Sequence, residues 1–124
     1  MVGKTATASI TVSDKNTAKA VGSGSLQVFA TPMMVALMEE AACNCLADGL
    51  ESGQTSVGTQ INVAHIAASP VGATITATAT ITQSEGRKVE FSLTASDGTQ
   101  EIGNGSHSRF IVDAERFMQK VGAK

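Results

Sequence analysis

Thr31, Glu39 and His65 supply a hydroxyl, a carboxylate and an imidazole from two segments that are otherwise mostly apolar, Thr31-Pro32-Met33-Met34-Val35-Ala36-Leu37-Met38-Glu39 and Val57-Gly58-Thr59-Gln60-Ile61-Asn62-Val63-Ala64-His65. Such a set suits nucleophilic or general acid–base chemistry. The carboxylate attacks an electrophilic centre or deprotonates water, and the imidazole, with an ordinary pKa of about 6.5, carries the proton. The residues leave both routes for Glu39 open. A hydroxyl beside them orients the carboxylate or the water.

One helix and one strand must bring these groups together. Thr31 is a natural N-cap and Pro32 fits the first helical position, so a helix begins here, with Gly49 and Gly53 as its possible stops. Met34, Leu37, Met38, Ala41, Ala42, Cys45 and Leu46 recur at three- and four-residue steps as one apolar stripe. At about 100° per residue Glu39 falls at the edge of that stripe and Glu40 turns away, which predicts a half-buried and a solvated acid. Strands are expected over Thr5 to Val12, Thr55 to Ala68, Ala73 to Ser84, Arg87 to Ser96 and Glu101 to Val112, with hairpin turns short enough to make the sheet antiparallel. Ile75, Ala77, Ala79 and Ile81 alternate with threonines, giving a core face of small residues that leaves room for the helix. The same alternation puts His65 on one face with Val57, Thr59, Ile61, Val63 and Ala67, aimed at the helix, where it can meet Glu39. Val21-Gly22-Ser23-Gly24-Ser25 reads as a loose loop, and without a following Gly-Lys-Ser/Thr it is not a phosphate loop.

Composition narrows the partners. The 124 residues suit a single domain, 1–124. A net charge of −2 with 16% charged residues gives no basis for counterion-driven binding, and four Phe without Tyr or Trp leave little to stack on bases, so nucleic acid is not an expected partner. The sequence has neither a signal-like start nor an apolar run of about 18 residues, so a soluble cytoplasmic protein without membrane attachment is expected. Cys43 and Cys45 do not face each other on a helix and read as two free buried thiols. No further Cys/His pair stands at zinc-ligand spacing, so neither metal nor cofactor is expected. His107 reads as structural, because nothing places a nucleophile beside it and no Gly-x-Ser-x-Gly elbow exists.

One long helix with a strand before it and four antiparallel strands after it is an α+β pattern, the hot dog fold: a long central helix wrapped by a curved antiparallel sheet of five to six strands. From about Phe29 to Phe117 the chain resembles the fluoroacetyl-CoA thioesterase-like branch of the hot dog thioesterase superfamily. The resemblance is carried by Thr31-Pro32, Leu37-Met38-Glu39, Val57-Gly58-Thr59, His65, Glu85-Gly86-Arg87, the string from Glu101 to Arg109 and the closing Phe117. It implies that Thr31, Glu39 and His65 are catalytic, that Gly58 offers a backbone N–H near the thioester oxygen, and that Arg109 helps hold coenzyme A. It also implies an acyl-CoA substrate, with coenzyme A entering only as part of it, and a homodimer or higher homo-oligomer with active sites at the dimer interface. Where the fluoroacetyl-specific type carries bulky aromatics in the lid before the threonine, this chain has Gly22-Ser23-Gly24-Ser25-Leu26.

The expected function is therefore hydrolysis of a short or compact acyl-CoA thioester to carboxylate and free coenzyme A. The alternative is a non-catalytic hot dog protein that binds acyl-CoA or a small metabolite. Glu39 and His65 argue against it, because binding alone needs neither. A hot dog hydratase would want an Asp about five residues before its histidine, where Gln60 stands.

Overall fold

The computed structural model describes residues 1–122. Its elements run β1 (Thr5–Thr11), α1 (Ala18–Val21), α2 (Thr31–Leu46), a 3-10 turn (Ala47–Gly49), β2 (Gln54–His65), β3 (Thr74–Glu85), β4 (Lys88–Ser96), β5 (Glu101–Asp113) and α3 (Ala114–Gly122). The five strands form one antiparallel sheet in the order β1-β3-β4-β5-β2, curled around α2. Both β1 and β2 are therefore edge strands. Each hairpin turns where the sequence supplies a residue free to take positive φ. Gly86, at φ +61°, opens the two-residue turn between the paired residues Glu85 and Lys88, as tight hairpins require.

The helix buries Met34, Leu37, Met38, Ala41, Ala42, Cys45 and Leu46. It packs mainly on β1 and β3, where Ala8, Ile75, Ala77, Ala79 and Ile81 form the facing row. Those alanines let a helix lie close to the sheet, while the alternating threonines stay on the other face. Glu39 is half-buried and Glu40 exposed, as the periodicity of α2 predicts.

Several local expectations change. The N-cap of α2 is Ala30, with φ −74° and ψ 136°; Thr31 is already helical and its side chain makes no capping bond. Of the Gly-Ser segment, Val21 ends the short helix α1 and Gly22 caps it, while Ser23, Gly24 and Ser25 lie in the loop outside any helix or strand. Thr17 caps that helix by accepting from the Ala20 N–H, and left-handed Gly22 closes it with a bond to the Ala18 carbonyl. Cys43 is exposed rather than buried, because it lies off the apolar stripe; Cys45 is buried, and that burial raises its thiol pKa. The sequence reading does not foresee α3, although Asp113 caps it by accepting from the Arg116 N–H. In β2 a bulge between Gly58 and Gln60 inverts the alternation. Val57 and Thr59 therefore do not share the face of His65. Ser56, Gly58, Ile61, Val63 and His65 do, paired with Ile111, Arg109, His107, Gly105 and Gly103.

Candidate active site

Thr31 and His65 meet. The Thr31 Oγ1 lies 2.7 Å from His65 Nδ1, joining the start of α2 to the end of β2. The contact exists because Thr31 sits one residue inside the helix, so its hydroxyl is not spent on the helix's own N–H groups. The other ring nitrogen, Nε2, is buried and has no hydrogen-bond partner among the described residues. An unpaired buried polar atom costs about 1–3 kcal/mol, and such atoms are kept where they have a task. Burial lowers the His65 pKa, with the nearby Ala67 main chain opposing part of the effect, so the ring is neutral near pH 7. Thr31 and His65 line a cavity of about 260 Å³ together with Ala18, Ser23, Phe29 and Ala67.

Glu39 belongs to a second cluster. Its Oε2 accepts from Arg109 Nη1 at 3.1 Å and lies 3.8 Å from His107 Nε2. Arg109 is 6% exposed and held from behind, donating from Nε to Ser56 Oγ at 2.8 Å and from Nη2 to the Ser56 carbonyl at 3.1 Å. His107 Nδ1 lies 2.7 Å from the Gln60 carbonyl, which can only accept, so this nitrogen carries the proton. Nε2 is then free to accept from Arg109 Nη1 at 3.2 Å. Burial, reinforced by the Arg109 charge against the opposing Gln60 carbonyl and Glu39 carboxylate, lowers the His107 pKa and keeps this tautomer neutral. His107 is thus no isolated core histidine: an acid stands beside it, contrary to the sequence reading.

Gly58 admits the carboxylate. A Cβ on Gly58 would fall 2.7 Å from Glu39 Oε2 and 3.3 Å from both Arg109 Nη1 and His107 Cε1. Without one, the acid lies directly against the strand's main chain, the kind of close approach for which glycine is suited. Glu39, Gly58, Thr59, Gln60, Ile61 and His107 line a cavity of about 280 Å³.

The expected meeting of Glu39 with His65 does not occur within one chain. Eight residues of helix separate Thr31 from Glu39, an axial rise of about 12 Å, and the two groups line different cavities. Ser56 and His107 are the participants that sequence reasoning missed. His107 was within reach of it, since residues i and i+2 of a strand share a face and Arg109 was already singled out. Ser56 was not, because the bulge that turns it inward leaves no local signature. Among the described residues, no group of three or more His, Cys, Asp or Glu is arranged to hold a metal ion.

A helix cradled in a curled antiparallel sheet, with an acid and a histidine-bound hydroxyl at separate points along it, places the chain in the hot dog class of thioesterases. The family model described as fluoroacetyl-CoA-specific thioesterase matches residues 12–115, and the chain belongs to that family of thioester hydrolases. It is 46% identical over 98 residues to the fluoroacetyl-CoA thioesterase of Streptantibioticus cattleyicolor, spanning 79% of this chain and 70% of that protein. A crystal structure of the fluoroacetyl-CoA thioesterase FlK superposes with a TM-score of 0.93 at 38% identity, covering 100% of this chain and 96% of that one. A thioesterase superfamily member from Thermus thermophilus, at 23% identity and a TM-score of 0.85 over 100% of this chain and 97% of its own, shares the fold.

Proposed function

We propose that the protein hydrolyses a short or compact acyl-CoA thioester, using Thr31, Glu39 and His65 in a site completed by a second copy of the chain. The observation that carries this reading is the 2.7 Å contact between Thr31 and His65, made by a helix-start hydroxyl that performs no capping. The relatives' printed activity on fluoroacetyl-CoA supports the thioester and coenzyme A parts of the reading, and a serine-for-threonine variant of FlK has been crystallised with acetyl-CoA.

Distance and register support the second copy. β2 is a free edge of 12 residues, and Ile61 and Asn62 near its middle are exposed. An edge this long is normally covered, and a two-fold interface covers it with itself. Antiparallel pairing of β2 about Ile61 and Asn62 sets Gly58 opposite His65 of the partner subunit. Each Glu39 cluster would then face a Thr31–His65 pair from the other chain. In that site the Gly58 N–H receives the developing oxyanion, and Glu39 either activates water or attacks the thioester carbon, expelling the thiolate and leaving an acyl-glutamyl anhydride that water cleaves; His65, neutral at rest, takes a proton from the attacking water and passes it to the thiolate. Arg109, four of whose five N–H donors are engaged by Glu39, His107 and Ser56, acts by fixing the carboxylate.

Mixing two inactive variants tests the whole reading. Glu39→Ala and His65→Ala each abolish coenzyme A release from a panel of short-chain acyl-CoA thioesters. Randomly exchanged dimers are about half heterodimers, each holding one intact site, so about one quarter of the native activity returns on mixing. No recovery, from variants shown to exchange subunits, would place the three residues in one chain's site. No release by the native protein from any thioester would leave the non-catalytic binding protein.

A further inference from the structure

Two residues that mark the family resemblance, Arg87 and Phe117, take no part in the chemistry described so far. They lie 30 positions apart in sequence and line one cavity of about 350 Å³ with Val112, Asp113, Arg116 and Lys120. We propose that this cleft binds the phosphorylated adenosine end of the coenzyme A substrate, with Arg87, Arg116 and Lys120 on the phosphates and the Phe117 ring against the base. The proposal rests on the acyl-CoA reading above and names where that substrate's nucleotide is held.

Charge makes the first argument. The chain has nine Lys and Arg residues and a net charge of −2, yet three of the nine line this one cleft. The single acid in the lining, Asp113, is already engaged as the cap of α3, accepting from the Arg116 N–H at 3.0 Å. Arg116 and Lys120 stand four apart on α3 and so share a helix face, and Phe117, three before Lys120, flanks it. An anion is the complement of this lining, and exposed guanidinium groups take phosphate in a forked geometry.

Rigidity and the ring make the second. Arg87 is fixed at both ends to one residue of β5: its carbonyl accepts from the Ile111 N–H at 2.8 Å, and its Nη1 donates to the Ile111 carbonyl at 3.3 Å. Of the four phenylalanines, Phe29 and Phe91 are buried in the core, Phe110 is exposed outside this cleft, and Phe117 stands half-exposed in the cleft wall. A flat apolar ring beside cations suits a purine that carries phosphates.

Distance makes the third. Gly58 pairs with Arg109 and Gln54 with Asp113, so four residues of strand, about 13 Å, lie between the carboxylate's glycine and the start of the cleft. The long flexible arm that joins the sulfur of coenzyme A to its diphosphate spans a separation of that order.

The test compares two thioesters carrying the same acyl group, one on coenzyme A and one on N-acetylcysteamine, which lacks the nucleotide. In the double variant Arg116→Glu/Lys120→Glu, both changes being at exposed positions, KM for the coenzyme A ester rises by roughly tenfold, while kcat and all constants for the truncated ester stay unchanged. Adenosine 3′,5′-bisphosphate binds the native protein by calorimetry, more weakly at high salt, and Phe117→Ala weakens it further. An unchanged KM in the double variant overturns the proposal, as does inorganic phosphate competing as well as the bisphosphate nucleotide. If the native protein hydrolyses neither ester, the acyl-CoA reading fails, and nucleotide binding alone then decides whether the cleft assignment stands.

Discussion

Substituting Gly58 by alanine isolates the placement of Glu39 from its presence. The added Cβ would stand 2.7 Å from Glu39 Oε2, about 0.7 Å short of ordinary contact, and 3.3 Å from Arg109 Nη1 and His107 Cε1. The carboxylate is the far end of a flexible side chain that is 40% exposed, so it yields and the strand does not. It must move off Gly58 and stretch its 3.1 Å bond to Arg109. Misplacement of a reacting group by something near 1 Å costs up to about 10²-fold, so kcat should fall about 10- to 100-fold, roughly 1.4–2.7 kcal/mol of barrier. Thermal stability should change little. The assay is coenzyme A release under saturating thioester, with a melting curve on the same preparation. Gly105→Ala is the contrasting control: its Cβ would collide with the Asn62 carbonyl and fall 2.7 Å from Val63 Cα, rigid backbone that cannot step aside, for a stability loss of about 2 kcal/mol or more. A Gly58→Ala enzyme with native kcat would refute the assignment of Glu39 to the reacting centre at this strand.

Thr31→Ala should leave the melting temperature close to native, because the hydroxyl performs no capping, while kcat drops about tenfold or more; a true cap would instead cost about 0.5–2 kcal/mol with activity kept. Stability should also depend on pH in the histidine range. Burial lowers the pKa of both His65 and His107, so the unfolded chain takes up protons first, beginning near its ordinary value of about 6.5. Stability is then complete above that value and declines as pH falls through the lowered native values. Urea midpoints at pH 7.5 and 5.5 measure this, and His107→Gln flattens the slope; equal midpoints for the native protein would exclude it.

Helix, sheet and core are legible in the sequence because each rests on a repeating pattern. The stripe from Met34 to Leu46 sets α2, and the Ile/Ala rows opposite threonines set the core face of β3. What the sequence hides is where a pattern is broken by a single residue. The bulge at Thr59 swaps the inward set of β2 from Val57 to Ser56 and Gly58, and only the cross-strand register with β5 reveals it. The start of α2 is misread by one residue for a similar reason: Thr-Pro reads as cap and first turn, whereas Ala30 takes the cap backbone and frees Thr31 for His65. The role of His107 is hidden by distance, since its neighbour Glu39 is 68 positions away and only the fold brings them within 3.8 Å.

Arg109 offers the clearest choice between two roles. A residue that grips coenzyme A needs donors facing the ligand, yet four of the five N–H donors of Arg109 are engaged by Ser56, Glu39 and His107, and the side chain is 8% exposed. Among the described residues its bonds hold only Oε2 of Glu39, which fixes the direction of the carboxylate and leaves its other oxygen for the reaction. Arg109→Lys keeps the charge but loses the planar fork that reaches Ser56 and Glu39 at once. If Arg109 positions Glu39, kcat falls on coenzyme A and N-acetylcysteamine esters alike while KM holds, since the lost interaction belongs to the transition state. If it grips the coenzyme, KM rises for the coenzyme A ester alone. The packing around the guanidinium favours the first outcome, and the second would move the coenzyme's anchor from the Arg116–Lys120 cleft to the floor of the Glu39 cavity.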